Sequence, residues 1–347
     1  MKLWQKSILT SELVEKFTQG KDKEMDLYLA KYDVLGSLAH IKMLEKIHIL
    51  SLSEWELLAG ELKKIFVEIE TKNFLFDDNM EDIHFLIELR VTQAIGEAGK
   101  KIHTARSRND QVLLDIKLFL RTEVKLLVEH CHQLFNQFVQ LSNQYKDCLM
   151  PGYTHFQLAM PSSFGLWFGS YAESLLDDLI TLKAAYQLIN KNPLGSAAGY
   201  GSAFPIDRKL TTDLLGFDDL NYNVINAQMN RGKVERITAA SLANIADTLS
   251  RFSNDCCTFL NQHFGFISFP QQLTTGSSIM PHKKNPDVFE LIRGNCNHLK
   301  ALPNALFMVS TNLQLGYNRD MQIIKEFIFP SFETLHNCIN LMQLMLE

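Results

Sequence analysis

No stretch of this chain is apolar for the ~20 residues that a membrane-crossing helix needs. The start, "MKLWQKSILTSELVEKF", has no apolar core of a signal peptide. A cytoplasmic protein with no membrane association is therefore expected. Long basic runs are also missing, and the net charge is −5. That excludes the electrostatic footprint of a nucleic-acid binder, though basic loops can still serve an anionic small molecule. The six cysteines, Cys131, Cys148, Cys256, Cys257, Cys296 and Cys338, contain no CxxC pair and no zinc spacing. Most fall inside apolar helical patterns, where buried free thiols are expected, and reduced thiols suit the cytosol. Strand-like alternation is scarce, apart from a short extended piece at "FGFISF" (264–269).

What is present is helix. The 347 residues are 46% apolar, enough for a sizeable core and two or three domains. Residues 1–104 read as a mixed helical domain with short elements. There, Ser53 precedes Glu56 as a capping signal, and Leu57, Leu58, Leu62, Ile65, Phe66 and Ile69 form a helical stripe. "EDIHFLIELRVTQAIG" predicts a further helix ending near Gly96 or Gly99. From 105 to 347 the spacing lengthens. Leu120, Val124, Leu127, Cys131, Leu134, Phe138 and Leu141 alternate steps of four and three. Leu175 to Ile189 and Leu242 to Phe259 do the same, so three long helices with coiled-coil-like seams are predicted. One more helix should follow Pro286 and another Pro330. Such helices form elongated bundles, and their seams often continue between copies of a chain.

The polar interruptions hold the candidate chemistry. "HTARSRNDQ" (103–111) opens a long helix, with Asn109 or Asp110 as its cap. The macrodipole repels cations there, so Arg106 and Arg108 make sense if they face an anion. In "MPGYTHFQLAMP" (150–161), Thr154 and His155 sit between proline-bounded corners, and taken alone a histidine is more often structural than catalytic. "NPLGSAAGYGSAFPIDR" (192–208) resembles a phosphate cradle only superficially and reads as a connecting turn. "TGSSIMPHKKNPD" (275–287) is different. Gly276 leaves the amides of Ser277 and Ser278 open, Lys283 and Lys284 add charge, and Pro286 precedes a helix start. Donors, cations and a helix N-terminus together suit a carboxylate or phosphate. Ile279 and Met280 suggest a loop that closes onto something.

These stretches, in this order, resemble the signature regions of the fumarase/aspartase superfamily. "HTARSRNDQ" is similar to that of its argininosuccinate lyases, and "DIHFLIE" (82–88) and "GYNRDMQIIKE" (316–326) extend the likeness over nearly the whole chain. The resemblance implies an all-α fold: an N-terminal helical domain, then a central long-helix bundle. Family members carry a third, small helical domain, for which this chain stops too soon. The resemblance also implies a homotetramer whose sites take one motif from each of three subunits. The family reaction is β-elimination of argininosuccinate to arginine and fumarate, with no cofactor and no metal. By the same resemblance Ser277 is the base, His155 its acid–base partner and Glu290 the carboxylate that orients it. Lys283 and Asn285 hold carboxylate oxygens, with Ser278 adding contacts. Arg108, Asn109, Thr154, Arg231, Tyr317, Gln322 and Lys325 clamp the substrate.

There are three departures from the family pattern. "QKSI" (5–8) replaces an N-terminal "GGRF", Asp22 stands where a serine is usual, and Gly232 follows Arg231 where an acid is usual. They bear on the substrate's amino-acid end. The alternatives are a sister lyase acting on another fumarate-releasing substrate, or a silent structural relative such as the lens crystallins.

Overall fold

The computed structural model describes residues 12–74, 82–276, 279–280 and 282–347. "QKSI", Ser277 and Ser278 lie outside the described residues. The element order is α1 Glu12–Gln19, α2 Asp22–Asp26, α3 Ala30–Lys46, α4 Leu52–Glu70, α5 Ile83–Ile95, α6 Glu97–Lys100, α7 Arg108–Gln144, β1 Leu149–Thr154, β2 Gln157–Ser163, α8 Phe164–Ile189, β3 Lys191–Asn192, α9 Arg208–Leu214, β4 Asp219–Leu220, α10 Val224–Met229, α11 Lys233–Phe259, α12 Asp287–Leu299, α13 Leu302–Val309 and α14 Ile324–Leu346. The fold is the all-α, long-helix type, and the three seams read from the sequence lie in α7, α8 and α11. Most seam residues are buried, including Leu120, Leu127, Leu134, Leu175, Leu182, Leu242 and Leu249.

Two compact units share the chain. The first takes residues 1–122, 187–235 and 307–329. Its core gathers Val34, Ile41, Leu44, Leu58, Leu62, Ile65, Ile83 and Val91 from α3, α4 and α5. Leu57 of the predicted stripe faces solvent instead. The cap of α4 is Ser51, paired with Glu54 in a reciprocal box, rather than Ser53 with Glu56. "SLSEWE" contains the serine–glutamate spacing twice, and the earlier copy satisfies the orphan amides. Helix α5 ends at Gly96, whose φ of 76° suits glycine.

The second unit takes residues 123–186, 236–306 and 330–347. An aromatic cluster fills it: Trp167 stacks on Phe252 at 5.0 Å, and Phe138 meets Phe252 edge-on at 5.0 Å. Gly165 is required there, because a Cβ would lie 2.5 Å from the backbone of Lys146. The β content is a correction. "FGFISF" has no strand, whereas β1 and β2 form an antiparallel hairpin in which Pro151 faces Pro161. Both prolines sit in a two-stranded ribbon, where a missing ladder donor is tolerated. Helix α14 also begins before Pro330, which lies inside it.

Candidate active site

A cleft of about 190 Å³ in the first unit is lined by Arg108, Asn109, Arg231, Tyr317, Gln322 and Lys325. Six of the residues nominated from sequence therefore converge, from three separate parts of the chain. Each is positioned by local structure. Arg108 is the first residue of α7, whose cap is Ser107 rather than Asn109 or Asp110. Ser107 Oγ accepts from the Asn109 amide at 3.3 Å, and the Ser107 amide donates to Asp110 at 2.9 Å. A hydroxyl two residues earlier thus leaves the Asn109 side chain for the cleft. The Arg108 guanidinium lies 3.3 Å from Asp82, an internal anion that offsets its unfavourable place at a helix start.

Asp110 reaches further. Its second oxygen accepts from the amides of Gly195 and Ala197, both at 2.9 Å. The glycine-rich loop is therefore more than a turn: it is an anion cradle whose anion is a buried side chain. Burial raises the Asp110 pKa, and these amides counteract it.

Arg231 is 5% exposed, its guanidinium lies 5.1 Å from the Tyr317 ring, and its Nε has no hydrogen bond among the described residues. A buried cationic donor left open in a cleft is suited to an incoming carboxylate. Gly232 follows with φ 83°, and a Cβ there would meet Ser310 at 2.9 Å. The usual acidic side chain would be strained at this position, which accounts for that departure. Gln322 donates to the carbonyls of Thr18 and Gln19 at 3.2 and 3.0 Å, holding the end of α1 against the cleft.

Lys325 is enclosed. Its ammonium sits 2.5 Å from Asp26 and also pairs with Asp22. Burial pulls its pKa down, but Asp26 and Asp22 outweigh that and the net shift is upward. Burial raises Asp22 to about 6, against the pull of Lys325. Burial likewise raises Asp26. Sequence reading missed Asp26 and Asp82. The signal for Asp26 was available, since Asp22 and Asp26 are four apart on one helical face.

The remaining candidates belong to the second unit. Thr154 ends β1, and His155 and Phe156 form the two-residue turn with φ of 52° and 59°. Both values are positive, as hairpin geometry of the primed type requires. His155 is exposed. Tyr153 anchors the arm against Phe264 and Phe266 at 5.7 and 6.5 Å. The 275–287 segment is closed at its base: the Asn285 amide donates to Thr275 O at 2.9 Å, and Thr275 Oγ1 donates to Asp287. Lys283 and Glu290 are exposed and Asn285 is half-buried. Ile279 is 86% exposed, so the loop is not closed over it in this chain.

Comparison with known proteins adds the following. Residues 5–299 match the profile of a family described as "Lyase". The chain is 57% identical over 340 residues to the argininosuccinate lyase of Phocaeicola vulgatus, covering 98% of this chain and 76% of that one. It is 37% identical to that of Thermotoga neapolitana, covering all of this chain and 87% of the relative. Among solved structures, an EDDS lyase variant with bound fumarate superposes with a TM-score of 0.82 at 23% identity, covering 97% of this chain and 66% of that one. That likeness concerns the fold.

Proposed function

Because the chain belongs to the argininosuccinate lyase family, we propose that it splits argininosuccinate by β-elimination into arginine and fumarate, as a step of arginine formation in the cytoplasm. One observation carries the reading: Arg108, Asn109, Arg231, Tyr317, Gln322 and Lys325 line a single cleft. Argininosuccinate bears three carboxylates, and Arg231 offers a buried donor with no hydrogen bond at its Nε among the described residues.

Ser277 takes the proton from the carbon beside a succinyl carboxylate. The electron pair is held on that carboxylate as a doubly charged aci-form. The C–N bond then breaks, the guanidino nitrogen leaves with a proton from His155, and fumarate forms. Such a carbon acid is weak, so donors must already be aimed at the developing charge. One donor of this sort is worth ~2.7–4 kcal/mol. Lys283, Asn285 and the Ser278 amide fill this role, with Thr154 at the substrate and Glu290 orienting His155. A serine is a poor base in water and needs the loop to close and desolvate it.

His155 stands on an exposed hairpin tip, and Lys283 on an exposed loop. Such positions serve catalysis when another surface covers them. A homotetramer with sites shared among subunits supplies that surface. A second reading, a sister lyase releasing fumarate from another amine, is favoured by the enclosure of Lys325 between Asp22 and Asp26. Incubation of the folded protein with argininosuccinate, following fumarate absorbance, tests the main reading; absence of fumarate would overturn it. Fumarate released only from another member of a substrate panel would favour the second.

A further inference from the structure

Behind the cleft lies a group of side chains that the elimination does not use. Asp33 of α3, His84 of α5 and Asp115 of α7 converge there, each 1% exposed or less. His84 Nδ1 lies 3.4 Å from Asp33 Oδ1 and 3.4 Å from Asp115 Oδ2. One ligand atom from each residue falls within 4.8 Å of the others. These separations are long for hydrogen bonds, and among the described residues neither nitrogen of His84 makes one. Both oxygens of Asp115 and Oδ2 of Asp33 also lack hydrogen-bond partners there. Gln111, 3% exposed, donates its amide to Asp33 and keeps its own carbonyl oxygen unpaired.

Such an arrangement is costly by itself. Two carboxylates out of water repel each other, and an unpaired buried polar group forfeits its hydration. Arg106 supplies one positive charge nearby, and one of its Nη atoms is already committed to Ser37 at 3.0 Å. A further cation among the carboxylates would resolve the charge and occupy the open lone pairs. The spacing suits one. Bonds of 2.0–2.1 Å in a tetrahedron place ligand atoms about 3.3–3.4 Å apart, and the two His84–carboxylate separations are 3.4 Å. Imidazole with carboxylates suits zinc and its first-row neighbours better than calcium. His84 also lines the cleft, which puts the group directly beneath it.

We propose that Asp33, His84 and Asp115 form a structural site for a divalent transition metal ion of the zinc class, with one coordination position left to a further donor. The ion ties α3, α5 and α7 together under the substrate cleft and takes no part in bond breaking.

The experiment uses the full chain, stripped with a chelator and then titrated with Co²⁺ and, separately, with Zn²⁺. Expected results are about one ion per chain by elemental analysis, the visible absorption bands of four-coordinate Co²⁺, and a thermal midpoint that climbs with free Zn²⁺ as ligand linkage requires. His84→Gln should lose the Co²⁺ bands. Asp115→Asn, nearly the same shape, guards against misfolding: it should keep the helical circular dichroism and bind the ion at least tenfold more weakly. If the stripped wild-type chain is folded but shows no Co²⁺ bands and no Zn²⁺-dependent midpoint, the charge is resolved by protons and the proposal fails. It also fails if the Co²⁺ bands persist unchanged in His84→Gln.

Discussion

Lys325 and Asp26 form a buried ion pair 2.5 Å long, both side chains 3% exposed or less. Asp22 joins the pair from the same helical face. A lysine held this way cannot also hold a substrate carboxylate at full strength. The three residues therefore fix the charge at this end of the cleft.

Asp22 gives a pH signature. Its pKa is raised by burial from 3.8 to about 6, so the folded chain holds this proton more tightly than the unfolded one. Stability from this group is fully present below pH 4 and is lost as pH rises towards 6. In Asp22→Asn, the thermal midpoint should fall less steeply between pH 4 and 6 than in the wild type. Equal slopes in the two proteins would remove Asp22 as the source.

The Asp110 cradle should be structurally expensive to break. Asp110→Ala leaves the Ser107, Gly195 and Ala197 amides without their acceptor. A loss of about 2–4 kcal/mol is expected from unpaired buried donors. Urea unfolding gives the total, and hydrogen exchange at Gly195 and Ala197 should quicken first. Unchanged exchange there would show that the loop holds itself.

Gly232→Glu would restore the usual acidic residue after Arg231. With φ at 83° and Ser310 2.9 Å from the added Cβ, it should cost about 1–3 kcal/mol. A neutral or stabilising result by thermal melting would mean the backbone here relaxes freely.

The proposed chemistry separates into base and clamp. Ser277→Ala should reduce turnover by at least about 10³-fold while substrate still binds by calorimetry. Lys283→Met should lower kcat/KM by about 10²–10³-fold, through both rate and binding. Turnover near the wild-type level in either variant would remove that residue from its role.

Shared sites have their own test. A chain with Ser277→Ala and a chain with Arg231→Met, each inactive alone, should regain part of the activity when dissociated and reassembled together. No recovery in verified mixed assemblies would argue for sites built within one chain.

Much of this was legible beforehand, and the reasons differ by residue. The long helices announced themselves because Leu120 to Leu141 and Leu242 to Phe259 keep their spacing over many turns. The hairpin around His155 did not, because Pro151 and Pro161 read as breakers when each is taken alone. Only their facing register makes them compatible with a ribbon. Helix caps slipped by two or three residues, at Ser107 and Ser51, where several small polar residues compete. The clamp residues were found by resemblance, and the cleft brings six of them together. Asp26 escaped because an acid in a short helix usually faces water, and Asp82 because an acid just before a helix reads as its cap; only the fold shows the cation each one meets. Arg108 was expected to face an anion, and Asp82 provides one from within the chain.

The hairpin also bears on how the molecule must be handled. Leu158 and Met160, 73% and 72% exposed, alternate onto one side of β2, and Phe156 at the tip is 93% exposed. A solitary copy therefore carries a greasy ribbon with nothing over it. At very low concentrations such a ribbon adheres to vessel walls, chaperones or foreign chains. Activity lost on extreme dilution should then return on reconcentration only where a carrier protein or mild detergent has kept the separated copies in solution.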